Sequence, residues 1–270
     1  MQADGPPAME KREMEPAGSS RGGLLFLARE TRVRGGVITM ASRYINERDR
    51  TLYGVNFDLL DGITLTENGF PAMEPVKELP KVDEVIEFNR VKTNKGRPGN
   101  QGVHFFIDDY QYERIWNCPW KYIDLLKQYK FIIQPQFSIY TDFPKPLQQY
   151  NHYRNQLLGA FWQRLGMTVV PTPEWADESS FEWVWDGLPE GGWHVIPTVG
   201  VMRYKEAKTN FVKGLRNFLD AKHPEGILVY GITSPEIENM LAREKIRRVV
   251  VRQGQRIRHD AWLLRNAAGT

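Results

Sequence analysis

Cysteine is nearly absent from this chain of 270 residues, in which Cys118 is the single example. One cysteine excludes an intrachain disulfide and a zinc site built from thiolates, and it fits a reducing compartment. Long apolar runs are also missing, since Leu24 to Ala28 is the longest near the start. Such a run is too short for a signal peptide or a membrane span. We therefore expect a cytoplasmic protein with no membrane partner.

Complete motifs for the common cofactors and metals are missing as well. The glycine spacing around the basic loop at 89–102 fits neither a phosphate-binding loop nor a dinucleotide fingerprint. No two histidines have the spacing of a metal site, so we predict no metal, and the sequence identifies no cofactor. The net charge of +3 is a mild basic excess, which permits contact with nucleic acid without requiring it.

What the chain does contain is a repeated pattern of short apolar runs that end in proline. These runs are Phe131 to Pro135, Met167 to Pro171 and Trp193 to Pro197. Each is followed by polar residues and then by a stretch of helical character, which is the pattern of a βα unit. Strand, helix and strand in this order require parallel pairing with right-handed crossovers.

Further strands are predicted at 103–109, 226–231 and 246–251. The fold class is therefore α/β, with a parallel sheet of repeated βα units. Two architectures remain open at this point: an open doubly wound sheet and a partial or distorted (β/α) barrel. In both, ligand sites lie at the carboxyl ends of the strands.

Composition divides the chain into four segments. Residues 1–39 are rich in Gly, Pro, Ala, Ser, Glu and Arg, and they are predicted to be a disordered N-terminal tail. Residues 40–102 form a lead-in region with short strands, among them Tyr53 to Phe57, and the basic loop. Residues 103–260 form the α/β core, which includes a short helix at 181–188, and residues 261–270 form a C-terminal tail.

Three stretches of unusual wording carry a resemblance to a known family. They are HFFIDDYQYERIW from His104, FIIQPQFSIYTDFP from Phe131 and QQYNHYRN from Gln148. Over residues 50–250 the chain resembles DUF4417, a family of uncharacterised bacterial and phage proteins that are often carried on mobile elements. The resemblance implies a phage or mobile-element context and no particular activity.

The candidate catalytic residues are acids that follow predicted strands. Carboxylates at such positions serve as acid–base groups or as Mg²⁺ ligands. The alternative is that they are solvated strand ends or caps on the following helices. The four candidates are Asp108, Asp109, Asp142 and Glu174.

The candidate ligand-binding residues are amides, hydroxyls, aromatics and cations near the same edge. Amides and phenols suit a base, a sugar or an amide, and a helix N-terminus favours an anion. The alternative roles are those of loop residues, solvated helix residues and, for Trp175, a cover over the core. The candidates are Gln134, Gln136, Tyr140, His152, Arg154, Thr172, Trp175, Thr198 and Gly200.

Basic side chains concentrate near the C-terminus. They are either a surface that contacts a phosphate backbone or charges that protect an edge strand from aggregation. The candidates for contact with DNA or RNA are Arg247, Arg248, Arg252, Arg256 and Arg258.

Three hypotheses about function follow. The first is a phage or mobile-element protein with a nucleic-acid role, and the second is an enzyme acting on a small polar or phosphorylated substrate. The third is a protein that binds a partner without chemistry. A cleft that gathers two acids with Gln136 or His152 would favour the enzyme. A continuous positive face built from 90–97 and 243–258 would favour the nucleic-acid binder.

Overall fold

The computed structural model describes residues 30–33, 36–39, 47–254 and 256–257, and the chain divides into two compact units, the second starting at Glu47. In the first unit, strand β1 (Glu30–Val33) pairs antiparallel with strand β2 (Gly36–Thr39). This hairpin falls within the predicted N-terminal tail. The other residues of that tail, and the tail at 261–270, lie outside the described residues.

The second unit alternates strands with helices. Its strands are β3 (Glu84–Glu87), β4 (Gln101–His104), β5 (Phe131–Ile133), β6 (Val169–Val170), β7 (Trp193–Pro197), β8 (Gly226–Tyr230) and β9 (Arg247–Val251). Its helices are α1 (Glu47–Gly54), α2 (Glu113–Asn117), α3 (Ile123–Leu126), α4 (Lys145–Arg164), α5 (Lys205–Lys222) and α6 (Pro235–Arg243). Two local predictions are wrong. Helix α1 covers the start of the strand expected from Tyr53, and residues 181–187 form turns instead of a helix.

Local sequence explains where the longer helices begin and end. The Ser234 hydroxyl accepts a hydrogen bond from the Ile237 amide, which caps α6 one residue before Pro235. Helix α4 ends before Gly166, whose φ of +80° is the left-handed conformation that terminates helices. Because α4 follows β5 in the chain, the α4 N-terminus lies at the carboxyl ends of the strands, as a βα unit requires.

All neighbouring strands of the second unit run parallel, and their order in space follows their order in the chain. One sheet has the order β3-β4-β5-β6 and the other β7-β8-β9. The Val195 amide donates a hydrogen bond of 2.8 Å to the Pro171 carbonyl, which places the second sheet beside the first. A doubly wound sheet reverses its strand order at a switch point. This order does not reverse, so the chain winds in one direction only.

The sheet curls strongly. Strands β4 and β8 are four steps apart in this order, which would be about 19 Å in a flat sheet. Yet His104 Nε2 of β4 lies 2.8 Å from the Tyr230 hydroxyl of β8. The fold is therefore a partial (β/α) barrel. No strand pair links β3 to β9 in the part of the chain that the structure describes, so the ring is not closed by a ladder.

A short C-terminal segment runs along the gap between β3 and β9, which we call the seam. The Gln253 side-chain amide donates to Glu87 Oε1 at 3.4 Å, at the end of β3. The Ile257 backbone amide donates to the Asp83 carbonyl at 2.6 Å, just before β3 begins. Gln253 and Ile257 therefore lie beside opposite ends of β3, in antiparallel order, and bring the two edges of the sheet together.

The inside of the curl is filled with side chains. One buried cluster combines residues from β3, β5, β6, β7, β8 and β9, including Val85, Phe131, Val170, Val195, Leu228 and Val249. Glycines make room for the largest rings: a Cβ on Gly226 would lie 2.4 Å from the Trp193 ring, and one on Gly102 would lie 2.6 Å from the Phe131 ring. The interior is a packed core, as in closed (β/α) barrels.

The outer faces of the strands pack against the helices in two further clusters. Val103, Ile132 and Val169 meet residues of α2, α3 and α4. Ile196, Ile227 and Val229 meet residues of α5 and α6. Alternation along each strand thus sends one set of side chains inward and the next outward.

Two strand histidines make the stability of this fold depend on pH. His104 faces inward and His194 packs edge-on against Phe218 of α5. Burial, with a smaller contribution from nearby cations, lowers the pKa of each to about 3. The unfolded chain has ordinary histidines with a pKa near 6.5. Below that pH the unfolded state binds protons that the folded state excludes, so stability falls as the pH is lowered towards 3.

We predict that lowering the pH from 7 to 5.5 costs about 2 kcal/mol of unfolding free energy through these two histidines. Glu174 acts in the opposite direction, because its raised pKa makes the folded state bind a proton more readily at low pH. Urea unfolding of wild type and His194→Leu at both pH values measures the effect. The variant should lose about half of the pH dependence, and an unchanged dependence would refute this assignment.

Candidate functional site

Asp109 joins the ends of β4 and β5. Its carboxylate accepts hydrogen bonds from the Ser138 amide at 2.9 Å and from the Ser138 hydroxyl at 3.0 Å. The Tyr112 hydroxyl lies 3.0 Å from the same carboxylate and 2.6 Å from the Gln136 carbonyl, so its single proton serves one of the two. Burial, and then the charge of Asp109, raise the pKa of Tyr112. Asp109 thus fixes the loop after β5.

Glu174 follows β6 and lies buried beneath the first half of α4. The Asn155 side-chain amide donates to Glu174 Oε1 at 2.6 Å, and His152 Nδ1 lies 3.4 Å from the same oxygen. His152 Nε2 is 2.9 Å from the Asp186 carbonyl, and a carbonyl can only accept, so Nε2 carries a proton. Burial raises the pKa of Glu174. Glu174 and His152 therefore form a buried polar pair that ties the chain after β6 to α4.

Asn155 connects Glu174 to the loop that Asp109 holds. Its Oδ1 accepts from the Phe137 amide at 2.7 Å, and its Nδ2 also lies 3.1 Å from the Phe137 carbonyl. Asp109 and Glu174 thus meet in one polar network that spans the ends of β4, β5 and β6. Glu174 is only 7% exposed, however, so this network lies under α4 and not in an open cleft.

Some buried polar atoms of this layer are left unpaired. The Gln134 carbonyl oxygen accepts from the Thr172 amide at 2.8 Å. Among the described residues, no hydrogen-bond partner is found for Gln134 Nε2, Thr172 Oγ1, Gln156 Oε1 or Glu174 Oε2. Each such atom costs about 1–3 kcal/mol. Stability alone does not account for so polar a layer.

Arg154 is engaged by neighbouring side chains through both terminal nitrogens. It donates to Glu113 Oε1 at 2.7 Å and to Asn151 Oδ1 at 2.7 Å. Its guanidinium also lies 3.7 Å from the centre of the Phe137 ring. Its Nε is buried, and no hydrogen-bond partner is found for it among the described residues. Asn151 in turn donates to the Ser138 carbonyl at 2.6 Å. Arg154 therefore braces α2, α4 and the loop after β5.

The other predicted residues are divided between structural positions and the surface. The Thr198 hydroxyl faces the Tyr230 carbonyl at 3.4 Å, and Gln136 Nε2 donates to the Pro173 carbonyl at 3.3 Å. Trp175 packs on α5, where a Cβ on Gly214 would lie 2.1 Å from its indole. Gly200 is exposed with φ of +80°. The exposed candidates are Asp108, Tyr140 and Asp142.

His104 and Tyr230 form a polar pair inside the barrel, near the carboxyl ends of β4 and β8. His104 Nδ1 accepts from the Phe106 amide at 3.1 Å, so the ring proton is on Nε2 and donates to the Tyr230 hydroxyl. Burial raises the pKa of Tyr230. The sequence marked His104 as an interior strand residue but gave no sign of this partner, because the contact depends on the curl of the sheet.

The predicted basic cluster is split in the structure. Arg247 pairs with Glu78 at 3.2 Å and with Glu225 at 3.4 Å. Arg248 pairs with Glu238 at 2.5 Å. Arg252 and Arg256 are exposed, and neither has an ion-pair partner among the described residues. Arg258 lies outside the described residues.

The seam brings two basic segments together. In a flat sheet β3 and β9 would be the two edges, about 29 Å apart, whereas the contacts of Gln253 and Ile257 place residues 253–257 beside β3. Residues 78–97 and 243–257 together contain eleven basic and five acidic side chains. We call six exposed cations of these two segments the seam cations: Lys81, Arg90, Lys95, Arg97, Arg252 and Arg256.

Other possible sites are limited. No group of three or more His, Cys, Asp or Glu side chains that could hold a metal is found among the residues that the structure describes. A groove of about 530 Å³ lies at the opposite end of the sheet, where Thr168 precedes β6, and Glu74 and Arg164 line it. None of the described helices has the length and apolar character needed to cross a membrane.

We predict that Glu174→Leu lowers the free energy of unfolding by about 3 kcal/mol, because it leaves the Asn155 amide buried without its acceptor and removes the polar neighbour of His152. Glu174→Gln keeps an oxygen for the Asn155 amide in a side chain of the same shape, so its cost should stay below about 1 kcal/mol. Urea unfolding at pH 7 measures both. Equal costs for the two variants would show that the network does not hold α4.

Comparisons with known proteins give one family and two phage relatives. The family model described as domain of unknown function (DUF4417) matches residues 65–249. The Gene 1 protein of Mycobacterium phage L5 is 38% identical over 161 residues, which are 60% of this chain and 70% of that protein. The Gene 1 protein of Mycobacterium phage D29 is 36% identical over 129 residues, which are 48% of each chain.

No solved structure gives a significant match, so the comparisons add no known fold to the description above. The two phage relatives support a phage association for the domain. Because the family model covers more than half of the sequence, the chain belongs to the DUF4417 family, a phage-associated family of unknown function.

Proposed function

We propose that this protein binds nucleic acid by contacting its phosphate backbone along the seam between β3 and β9. The observation that carries the proposal is the meeting of two basic segments at the seam. Arg252 and Arg256 come from the C-terminal segment, and Arg90, Lys95 and Arg97 follow β3. A clustered set of exposed cations is the electrostatic footprint that phosphate binding needs.

Ion pairing distinguishes the seam cations from the two arginines at the start of β9. Arg247 and Arg248 already hold carboxylates, and Arg247 also lies 5.1 Å from the Trp193 ring. Releasing them for phosphates would break those ion pairs. The seam cations are exposed. Among the described residues, the ion-pair partner of Arg90 is Glu87, at 2.8 Å, and 70% of the Arg90 side chain is in solvent. Exposed pairs of this kind are weak and exchange readily for a phosphate.

The acids that favoured an enzyme are used differently. Asp109 accepts both hydrogen bonds of Ser138 and so fixes the loop after β5, and Glu174 is buried beneath α4. The exposed acids Asp108 and Asp142 lie on separate loops. The observed geometry thus gives more support to a binding surface than to an acid–base pair acting on a small substrate.

We predict that the protein binds DNA or RNA with an affinity that falls steeply with salt. With four phosphate contacts the slope of log affinity against log salt should be about −3. Arg252→Ala/Arg256→Ala should reduce the slope to about half and weaken binding to all sequences alike. Fluorescence anisotropy of the full chain at several salt concentrations provides the measurement.

A matched control is the double variant Lys121→Ala/Arg216→Ala. Lys121 is exposed on the turn before α3, and Arg216 is exposed on α5, so this variant removes the same net charge from positions away from the seam. The proposal requires this control to keep the wild-type slope. An equal loss in both double variants would mean that only overall charge matters, and an absence of binding at low salt would refute the proposal.

A further inference from the structure

Three tyrosines at the carboxyl ends of the strands have their rings in solvent. Tyr110 is 78% exposed, Tyr140 is 59% exposed and Tyr204 is 65% exposed. Tyr110 follows β4, Tyr140 follows β5, and Tyr204 lies between β7 and α5. We call them the rim tyrosines. Exposed aromatic rings that converge on one face of a protein mark an interaction surface.

None of the three rings is part of the buried core. Tyr140 has an edge contact with Phe143 at 5.2 Å between ring centres. No ring contact or hydroxyl hydrogen bond of Tyr110 or Tyr204 is found among the described residues. Two aliphatic side chains add to the same face, since Val199 follows β7 with 43% exposure and Ile232 follows β8 with 63% exposure.

Charges on this face suit a polyanion at one side of the rim. Arg90 follows β3 and Arg252 follows β9, so both stand where the seam reaches the carboxyl ends of the strands. The rest of the rim is mixed, with Lys145 and Lys205 offset by Asp108, Asp142 and Glu206. Phosphates are therefore favoured at the seam, and the rings offer contacts that need no charge.

We infer that the bound nucleic acid is single-stranded and that its bases stack on the rim tyrosines while its phosphates lie on the seam cations. The inference rests on the proposed function. Bases of a single strand present their faces to aromatic side chains, whereas a duplex keeps those faces stacked inside. A cationic path next to exposed aromatic rings is the arrangement by which proteins hold single strands without sequence preference.

The experiment compares a 20-nucleotide oligo(dT) with a duplex of the same length, using anisotropy and the full chain. Oligo(dT) should bind at least tenfold more tightly. Tyr110→Ser, Tyr140→Ser and Tyr204→Ser should each weaken oligo(dT) binding by about fivefold, and the matching Tyr→Phe variants should bind like wild type. Because these side chains are exposed, the substitutions leave the core intact.

A second readout is chemical protection. Nitration of Tyr110, Tyr140 and Tyr204, followed by mass spectrometry, should fall when oligo(dT) is bound. Tyr53 of α1, which is 60% exposed, serves as the internal control and should stay reactive.

The outcomes separate the two proposals. If duplex and oligo(dT) bind equally, or the serine variants bind like wild type while Arg252→Ala/Arg256→Ala still weakens binding, the single-strand inference is wrong and the seam proposal stands. If nothing binds at low salt, both are wrong.

Discussion

The rest of the structure depends on the curl of the parallel sheet, and the hydrogen bond between His104 and Tyr230 is the contact that requires this curl. It joins strands four steps apart, so the parallel sheet has to curl until its inner faces meet. The curl follows from the sizes of the side chains on the inner face of the sheet. The large inward rings of Phe131 and Trp193 fit only because Gly102 and Gly226 face them. A flat sheet would leave one face of each strand without cover.

The surface that we propose for nucleic acid follows from the same curl. Because the sheet curls, the chain leaving β9 comes next to β3, where Gln253 and Ile257 make their contacts. Basic residues that are about 150 positions apart in the sequence then share one surface. The carboxyl ends of the strands form a ring instead of a line, so loops after β4, β5 and β7 can present Tyr110, Tyr140 and Tyr204 around one opening.

Much of the fold could be predicted from local sequence. Apolar runs that end in proline predicted β5 and β7, and the Ser234-Pro235 pair predicted the start of α6. Local pattern left open whether the sheet was doubly wound or curled, because that choice depends on which inner side chains meet across the sheet. Local pattern also predicted a strand from Tyr53, whereas Tyr53 lies in the last turn of helix α1.

For the candidate residues, the sequence indicated which side chains follow strands and did not indicate their partners. Asp109, Glu174 and Arg154 do lie near the carboxyl ends of the strands, but each is engaged by partners far away in sequence. A sequence shows that a carboxylate follows a strand. Tertiary packing decides which backbone amide or asparagine donates a hydrogen bond to that carboxylate. The same reasoning applies to Arg247 and Arg248, whose acids belong to other elements.

The curl is tested most directly by a double-mutant cycle between His104 and Tyr230. His104→Gln, Tyr230→Phe and the double variant are compared with wild type by urea unfolding at pH 7, and His194→Leu with Tyr230→Phe is the control pair. Contact at 2.8 Å predicts a coupling of about 1 kcal/mol for the first pair and additivity for the control. Additivity of the first pair within about 0.3 kcal/mol, as expected for strands about 19 Å apart, would contradict the account.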